Sequence, residues 1–542
     1  MTSEYATYRP TPEQTNSDSS VQSQPSSGNT SAQLSATPQS DEPASSDTLK
    51  EKGLAIVFNY KVADGEERPD SYFYQQITSR IDAANIPAGS VGVPYEIVID
   101  FTQISKDLHI TDSTQNFELG KKGFSVTVSG EVMKIAATPR ESIDDVIKFC
   151  FRCENGKTKI TGKDETPYFE YPKPLLINPH PRDLWQNLPV KDYEGYQNKD
   201  YDAQGVSVEY IPAKKGFASA TPAKSIEVIA ASQRGRSHAH VGKPRDDCFY
   251  FDFDKETGWN FVAVADGAGS AKYSRKGAEI ACQTVISKLR SALSQEFNKT
   301  YINSDLQLLL QWGEEFVAAN GKLDGSRENE FLAKTKLGDV FHQSVYAAHV
   351  AIVEEAKKRN AEKRDDAKTK DYHTTLLCAA FRYFSELSGW FIVSYWVGDG
   401  GAAILRWNKT ERVLVLGEPD GGEFAGQTRF LTMPEEINAA PIRKRLRFSF
   451  CDSFEAMVLV TDGITDPFFP SEAAVVDEPR WLEFYNDKLK KGCDEEKNGC
   501  KELFDEAISP QEKSEALLKW LDFWSKGNHD DRTILVVKNK EL

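Results

Sequence analysis

At 542 residues the chain exceeds one ordinary hydrophobic core, so two or three domains are expected. A formal charge of −16, from 82 acidic against 66 basic side chains, excludes nonspecific nucleic-acid binding, which needs a basic surface to displace counterions. No run approaches the roughly 20 apolar residues of a membrane-spanning helix, and the opening MTSEYATYRP has no basic stretch leading into an apolar one, so a cytoplasmic protein without membrane attachment is expected.

Residues 1–52 are rich in Ser, Thr, Gln and Pro and poor in aliphatic side chains, the composition of a disordered tail. From 53 to 172 the texture changes to short alternating runs, GLAIVFNYKV, YEIVIDF, FSVTVSGEVMKIAA and VIKFCFRC, which predict an all-β, antiparallel, sandwich-like domain. Its C-x-x-C pair, Cys150 and Cys153, lies in such an alternation. The two thiols then point to opposite faces, which disfavours metal or redox work. The eight cysteines are scattered, mostly in apolar surroundings, and are expected to be reduced. Residues 173–225, with PKPLLINPHPRDLW, read as a linker that packs on its neighbours. From 226 to 542 strands and long helical segments mix in one α+β domain. GAEIACQTVISKLRSAL and FHQSVYAAHVAIVEEAKKRNAEKR carry helical spacing, whereas WFIVSYWVGDG, AMVLVTDG and RTILVVK read as buried strands.

Within that last domain a strand followed by Asp-Gly occurs three times, at Asp266 in VAVADGAG, Asp399 in SYWVGDGG and Asp462 in VLVTDG. Paired acids also precede two strands, Asp246 and Asp247 in KPRDDCFYF and Asp530 and Asp531 in HDDRTILVV. One Asp-Gly after a strand is an ordinary turn. Five acidic strand ends in one domain would converge on a sheet edge, repel one another and be costly to desolvate unless a hard divalent cation neutralised them. Oxygen-only ligands favour Mg²⁺ or Mn²⁺ over zinc.

In this order RDDCF, VADGAGS, HTTLLCA, VGDGG, LVTDG and HDDRTILVV resemble the motif series of the metal-dependent type 2C protein Ser/Thr phosphatases in a bacterial-type form, over roughly residues 228–540. The resemblance implies an α-β-β-α sandwich, two antiparallel sheets flanked by helices, with two or three Mn²⁺ or Mg²⁺ ions at one end. It implies that Asp266 bridges two metals, that Gly267 offers its carbonyl, that Asp462 and Asp530 complete the site and that Asp399 holds a third, weaker ion. Asp247 would hold water beside the metals. Thr374 and Thr375 match the family's small-hydroxyl strand motif and read as β-structure rather than as catalysts.

The chain departs from the family at the phosphate clamp, where eukaryotic members place an Arg and Gly242 stands here. Arg236, Lys243 and Arg245 are the basic candidates nearby, and His238 is the first candidate for the clamp and for a general acid toward the leaving oxygen. The segment 468–526, charged and aromatic, reads either as a flap shaping substrate access or as a peripheral helix pair. The implied reaction is hydrolysis of phosphoserine or phosphothreonine in a protein by water that two metals activate, with a cognate Ser/Thr kinase expected and the partner of the β-domain unnamed. A phosphatase-like module that only binds phosphoproteins, and a phosphatase of a small phosphorylated metabolite, are the alternatives.

Overall fold

The computed structural model describes residues 53–63, 67–84, 86–102, 104, 108–110, 115–155, 168–190, 203–210, 224–293, 311–313, 315, 325–362, 364–385, 387–406, 412–419, 428–492 and 499–540. The expected disordered tail, 1–52, lies outside them. The chain divides into two compact units, Met1–Pro179 and His180–Leu542.

The amino-terminal unit is strand-rich, as the alternation predicted. One sheet runs in the order Gly89–Ser90, Phe169–Asn178, Ile143–Cys153, Ala55–Lys61, His109–Ile110, with Gln115–Phe117 also on Ala55–Lys61. A three-stranded sheet holds Tyr95–Asp100, Val132–Ala137 and Phe124–Ser129. Two features correct the all-β, antiparallel expectation. Ala55–Lys61 pairs parallel with Ile143–Cys153, and a helix, Asp70–Ala83, intervenes and buries Phe73, Ile77 and Ile81 in the shared core. Those three residues recur every fourth position, the helical period. Cys153 enters the main core while Cys150 packs with Ala55 and Val57, so the two thiols do point to opposite faces.

The carboxy-terminal unit stacks four layers. A five-stranded antiparallel sheet has the order Cys248–Phe253, Asn260–Ala265, Leu376–Phe384, Gly389–Val397, Leu446–Cys451. The sheet facing it has the order Ala203–Tyr210, Ser225–Gln233, Arg532–Lys540, Ala456–Val460, Gly401–Leu405, Val413–Val415. Along Asn260–Ala265, Val262 and Val264 enter the core between the sheets, whereas Phe261, Ala263 and Ala265 enter a second core under the helices Ser274–Ser291 and Leu337–Ala361. Period-two alternation with both faces apolar makes this a fully covered central strand, each large side chain contributing about 1.5–3 kcal/mol.

On the far side lies the helix Pro510–Leu521, begun by a capping box between Ser509 and Glu512 with Pro at its first turn. It buries Leu517 and Trp520. The four layers are the α-β-β-α sandwich expected. Trp481, Phe484, Tyr485 and Trp520 of the segment 468–526 are core residues, so its described part packs as a helical layer. The stretch expected as a linker, 173–225, contributes the last six residues of Phe169–Asn178 to the first unit and the edge strand Ala203–Tyr210 to the second; residues 191–202 and 211–223 lie outside the described residues. Among the described residues no helix is long and apolar enough to cross a membrane.

Candidate metal centre

Each of the five acidic positions sits at the end of a strand predicted for it. Asp266 follows Asn260–Ala265, Asp399 follows Gly389–Val397 and Asp462 follows Ala456–Val460. Asp247 and Asp531 directly precede Cys248–Phe253 and Arg532–Lys540. Ligand atoms of Asp266, Asp399 and Asp462 lie within 4.8 Å of one another, as do those of His238, Asp530 and Asp531.

The backbone at Asp266 is pinned by the two threonines. Its carbonyl accepts from the Thr375 N–H at 2.8 Å and from Thr374 Oγ1 at 2.9 Å, and its own N–H donates to Thr375 Oγ1 at 2.9 Å. Gly267 then passes so close to its neighbours that a Cβ would lie 2.7 Å from the Ser274 carbonyl carbon and 2.8 Å from the Asp246 oxygen. Any larger residue would displace the acid. Gly463 is tighter still, with Asp531 O at 1.8 Å from a would-be Cβ, so the first turn of the helix Asp462–Phe468 touches the backbone at Asp531 directly.

Asp247 is fully buried, and its Oδ2 accepts hydrogen bonds from Thr461 and Thr533, both at 2.7 Å. These hydroxyls were missed in the sequence, although both stand inside motifs already noted. Asp531 joins the loops: Gly235 N–H donates to its Oδ1 at 2.6 Å, and Asp246 N–H (2.5 Å) and His238 Nδ1 (2.9 Å) meet its Oδ2. Hence Asp531 is a structural acceptor, held below its ordinary range despite burial by the His238 hydrogen bond and charge and by these backbone donors.

Asp266, Asp462, Asp246 and Asp247 move the opposite way. Burial, then the charges of Asp462, Asp247 and Asp530, push Asp266 well above the carboxylate range. Burial, then Asp399 and Asp530, do the same to Asp462. Burial and Asp531 push Asp246 and Asp247 to about 7. Crowding of this kind is relieved by a cation. The fit is seen in the oxygens left over: Oδ1 of Asp247, Asp399 and Asp462 are buried without a hydrogen-bond partner among the described residues. Asp399 and Asp462 share their cluster with Asp266, and hard oxygen donors of this kind suit a hard divalent cation.

The basic candidates divide. Arg236 is committed to Asp522, through its carboxylate at 2.5 Å and its carbonyl at 3.1 Å. Arg245 is 1% exposed and donates to the Ser232 carbonyl at 2.7 Å. Neither is free to clamp a phosphate, which corrects the expectation for both. Lys243 is exposed. His238 is buried beside Asp531 and Asp246 and within reach of Asp530.

Residues 234–503 match the profile of a family described as Protein phosphatase 2C. Three solved structures show the likeness: RsbX in complex with magnesium, at 12% identity over 58% of this chain and 96% of that one, TM-score 0.27; a serine-threonine phosphatase 2C from Toxoplasma gondii, at 15% identity over 62% and 99%, TM-score 0.30; and the photosystem II phosphatase PBCP, at 14% identity over 58% and 100%, TM-score 0.28. No curated protein matches the chain.

Proposed function

From the membership of this chain, through its carboxy-terminal domain, in the protein phosphatase 2C family, we propose that it hydrolyses phosphoserine and phosphothreonine in proteins with two or three Mn²⁺ or Mg²⁺ ions. Asp266, Asp462, Asp530 and Asp399 would hold the ions, with the Gly267 carbonyl beside them. When bound, the ions supply positive charge to the phosphoryl oxygens and lower the pKa of water. Asp247, fixed by Thr461 and Thr533, accepts a hydrogen bond from the attacking water through its unpaired Oδ1 and so aims it. His238, its Nδ1 side anchored on Asp531, presents Nε2 as the proton donor to the leaving serine or threonine oxygen. Lys243 is the remaining basic side chain for the phosphate.

The observation that carries this reading is the set of buried carboxylate oxygens without hydrogen-bond partners, gathered from separate strand ends. A binding-only module would have no use for so costly an arrangement. The substrate is a phosphorylated protein in this reading, and a Ser/Thr kinase is its chemical counterpart. Turnover of phosphothreonine peptides is to be compared with a panel of phosphorylated metabolites, with Mn²⁺ and with excess chelator. Peptide turnover lost on chelation and restored by Mn²⁺ is expected; undiminished turnover in chelator, or preference for a metabolite, overturns the corresponding part.

A further inference from the structure

Residues 180–188 lie ahead of the family-matched region, and none of the chemistry above uses them. They run along the short helix Arg236–Val241, which carries His238, and the loop that carries Asp530. The Trp185 ring packs on His529, the residue before Asp530, with 4.6 Å between ring centroids, and meets His240 edge-on at 5.3 Å. His529 also packs on Trp524 at 5.1 Å, so two indoles hold the imidazole. The N–H of Gln186 donates to His240 Nδ1 at 3.1 Å, and the N–H of Leu188 donates to the Ala239 carbonyl at 2.9 Å. Arg234 donates back to Asn187 Oδ1 at 2.6 Å and to the Leu188 carbonyl at 3.0 Å. At the other end Arg182 and Arg236 share the carboxylate of Asp522. The helix and the loop also bind each other, since the His529 carbonyl accepts the N–H and hydroxyl of Ser237 at 3.0 and 2.8 Å.

We propose that residues 180–188 form a strap that sets the His238 helix and the Asp530 loop against each other, with Trp185 as its positioning residue for cation binding and turnover. The inference rests on the phosphatase reading. Trp185 is none of the proposed ligands or proton carriers; it fixes His529, and through the backbone it fixes where the Asp530 carboxylate stands. Because the ring is partly exposed, truncating it leaves both cores filled. A misplacement of an ångström at a reacting centre costs about 10²-fold, so the strap acts on rate rather than on folding.

The test uses the full chain carrying Trp185→Ala or Trp185→Phe. Calorimetry measures Mn²⁺ affinity, steady-state kinetics on a phosphothreonine peptide give kcat and KM, and metal-free melts report the fold. Trp185→Ala is expected to weaken Mn²⁺ binding about 10-fold and to lower kcat about 10- to 100-fold, with KM nearly unchanged. Its metal-free melt is expected to stay near wild type, and Trp185→Phe to recover most of the loss. Wild-type Mn²⁺ affinity and kcat in Trp185→Ala, or a defect confined to KM, overturns the strap, as does a Phe variant no better than Ala. If Trp185→Ala does not melt cooperatively, Arg182→Gln, which releases only the Asp522 end, undergoes the same measurements under the same criteria. A wild-type chain that binds Mn²⁺ but hydrolyses neither phosphopeptide nor aryl phosphate overturns the phosphatase reading instead, and the Mn²⁺ affinities of the variants still decide the strap.

Discussion

His238, on the helix Arg236–Val241, and Asp531, just ahead of the strand Arg532–Lys540, form a hydrogen-bonded pair, Nδ1 to Oδ2 at 2.9 Å, with Nε2 of the same ring 3.7 Å from Asp246. Burial alone would lower the pKa of this imidazole, but the Asp531 hydrogen bond and charge, with Asp246 and Asp530, raise it to about 9. In the metal-free chain the ring therefore carries a proton at neutral pH, with one nitrogen aimed by Asp531 and the other left to donate.

A general acid matters most when the leaving oxygen is a poor leaving group. His238→Asn is therefore expected to lower turnover of a phosphothreonine peptide by about 10²-fold or more while sparing an activated aryl phosphate to within about 10-fold. Equal losses on the two substrates would show that His238 only supports Asp531.

Asp266→Asn removes charge from the centre of the cluster. Turnover should fall by orders of magnitude, yet the metal-free fold should be no less stable, because crowding is relieved. The pH dependence follows from the raised pKa of Asp266. The native state binds this proton more tightly than the unfolded chain, so its contribution is full below the unfolded pKa of about 3.9 and is lost as pH rises toward the folded value. Metal-free melts from pH 5 to pH 8 should show wild type losing stability relative to Asp266→Asn. A constant difference across that range contradicts the crowding.

Glu227 and Lys513 form an ion pair at 2.9 Å with 1% and 2% of their side chains exposed, tying the outer helix to the sheet. Glu227→Gln leaves Lys513 charged and buried, and is expected to cost about 3–5 kcal/mol in chemical denaturation. Lys538 also approaches Glu227, at 3.5 Å, but has Glu506 at 2.9 Å as a second partner, so it suffers less. A cost below about 1 kcal/mol would place this pair with ordinary surface ion pairs.

A fragment 222–542 contains every proposed metal ligand, but it lacks the strap and the edge strand Ala203–Tyr210, which pairs along its whole length with Ser225–Gln233. Residues 180–542 are expected to fold and to hydrolyse a small aryl phosphate, whereas 222–542 is expected to melt lower and turn over more slowly. The two fragments, compared by circular dichroism melts and aryl phosphate kinetics, decide it; identical behaviour would make the edge strand and the strap dispensable.

The acids were legible in the sequence because each is attached to a strand, and strand ends of a covered sheet meet at its edges. Asp266, Asp399 and Asp462 could be placed from local pattern alone. The basic side chains could not. What disqualifies Arg236 is Asp522, and what buries Arg245 is the strand end at Ser232; both facts depend on tertiary packing rather than on neighbours in the chain. Trp185 was hidden for the same reason, since its stretch is rich in proline and carries no periodicity, while its partner His529 stands near the opposite end of the chain. The helix Asp70–Ala83 was legible and missed: Phe73, Ile77 and Ile81 mark one face, but the strands around it set the expectation.

The short connection from the strand Phe169–Asn178 to the first strap residue, His180, also bears on how such a chain can be recombined. A crossover at residue 234, where the recognisable family region starts, would separate a metal-holding domain from the backbone that braces its loops. The recipient gene would inherit every acid and still need a substitute brace. The seam that keeps the brace with its loops falls between Pro179 and His180, the boundary of the second compact unit. A unit that keeps the proposed strap with the elements it braces would extend 54 residues upstream of the family-matched region, from His180 to residue 234.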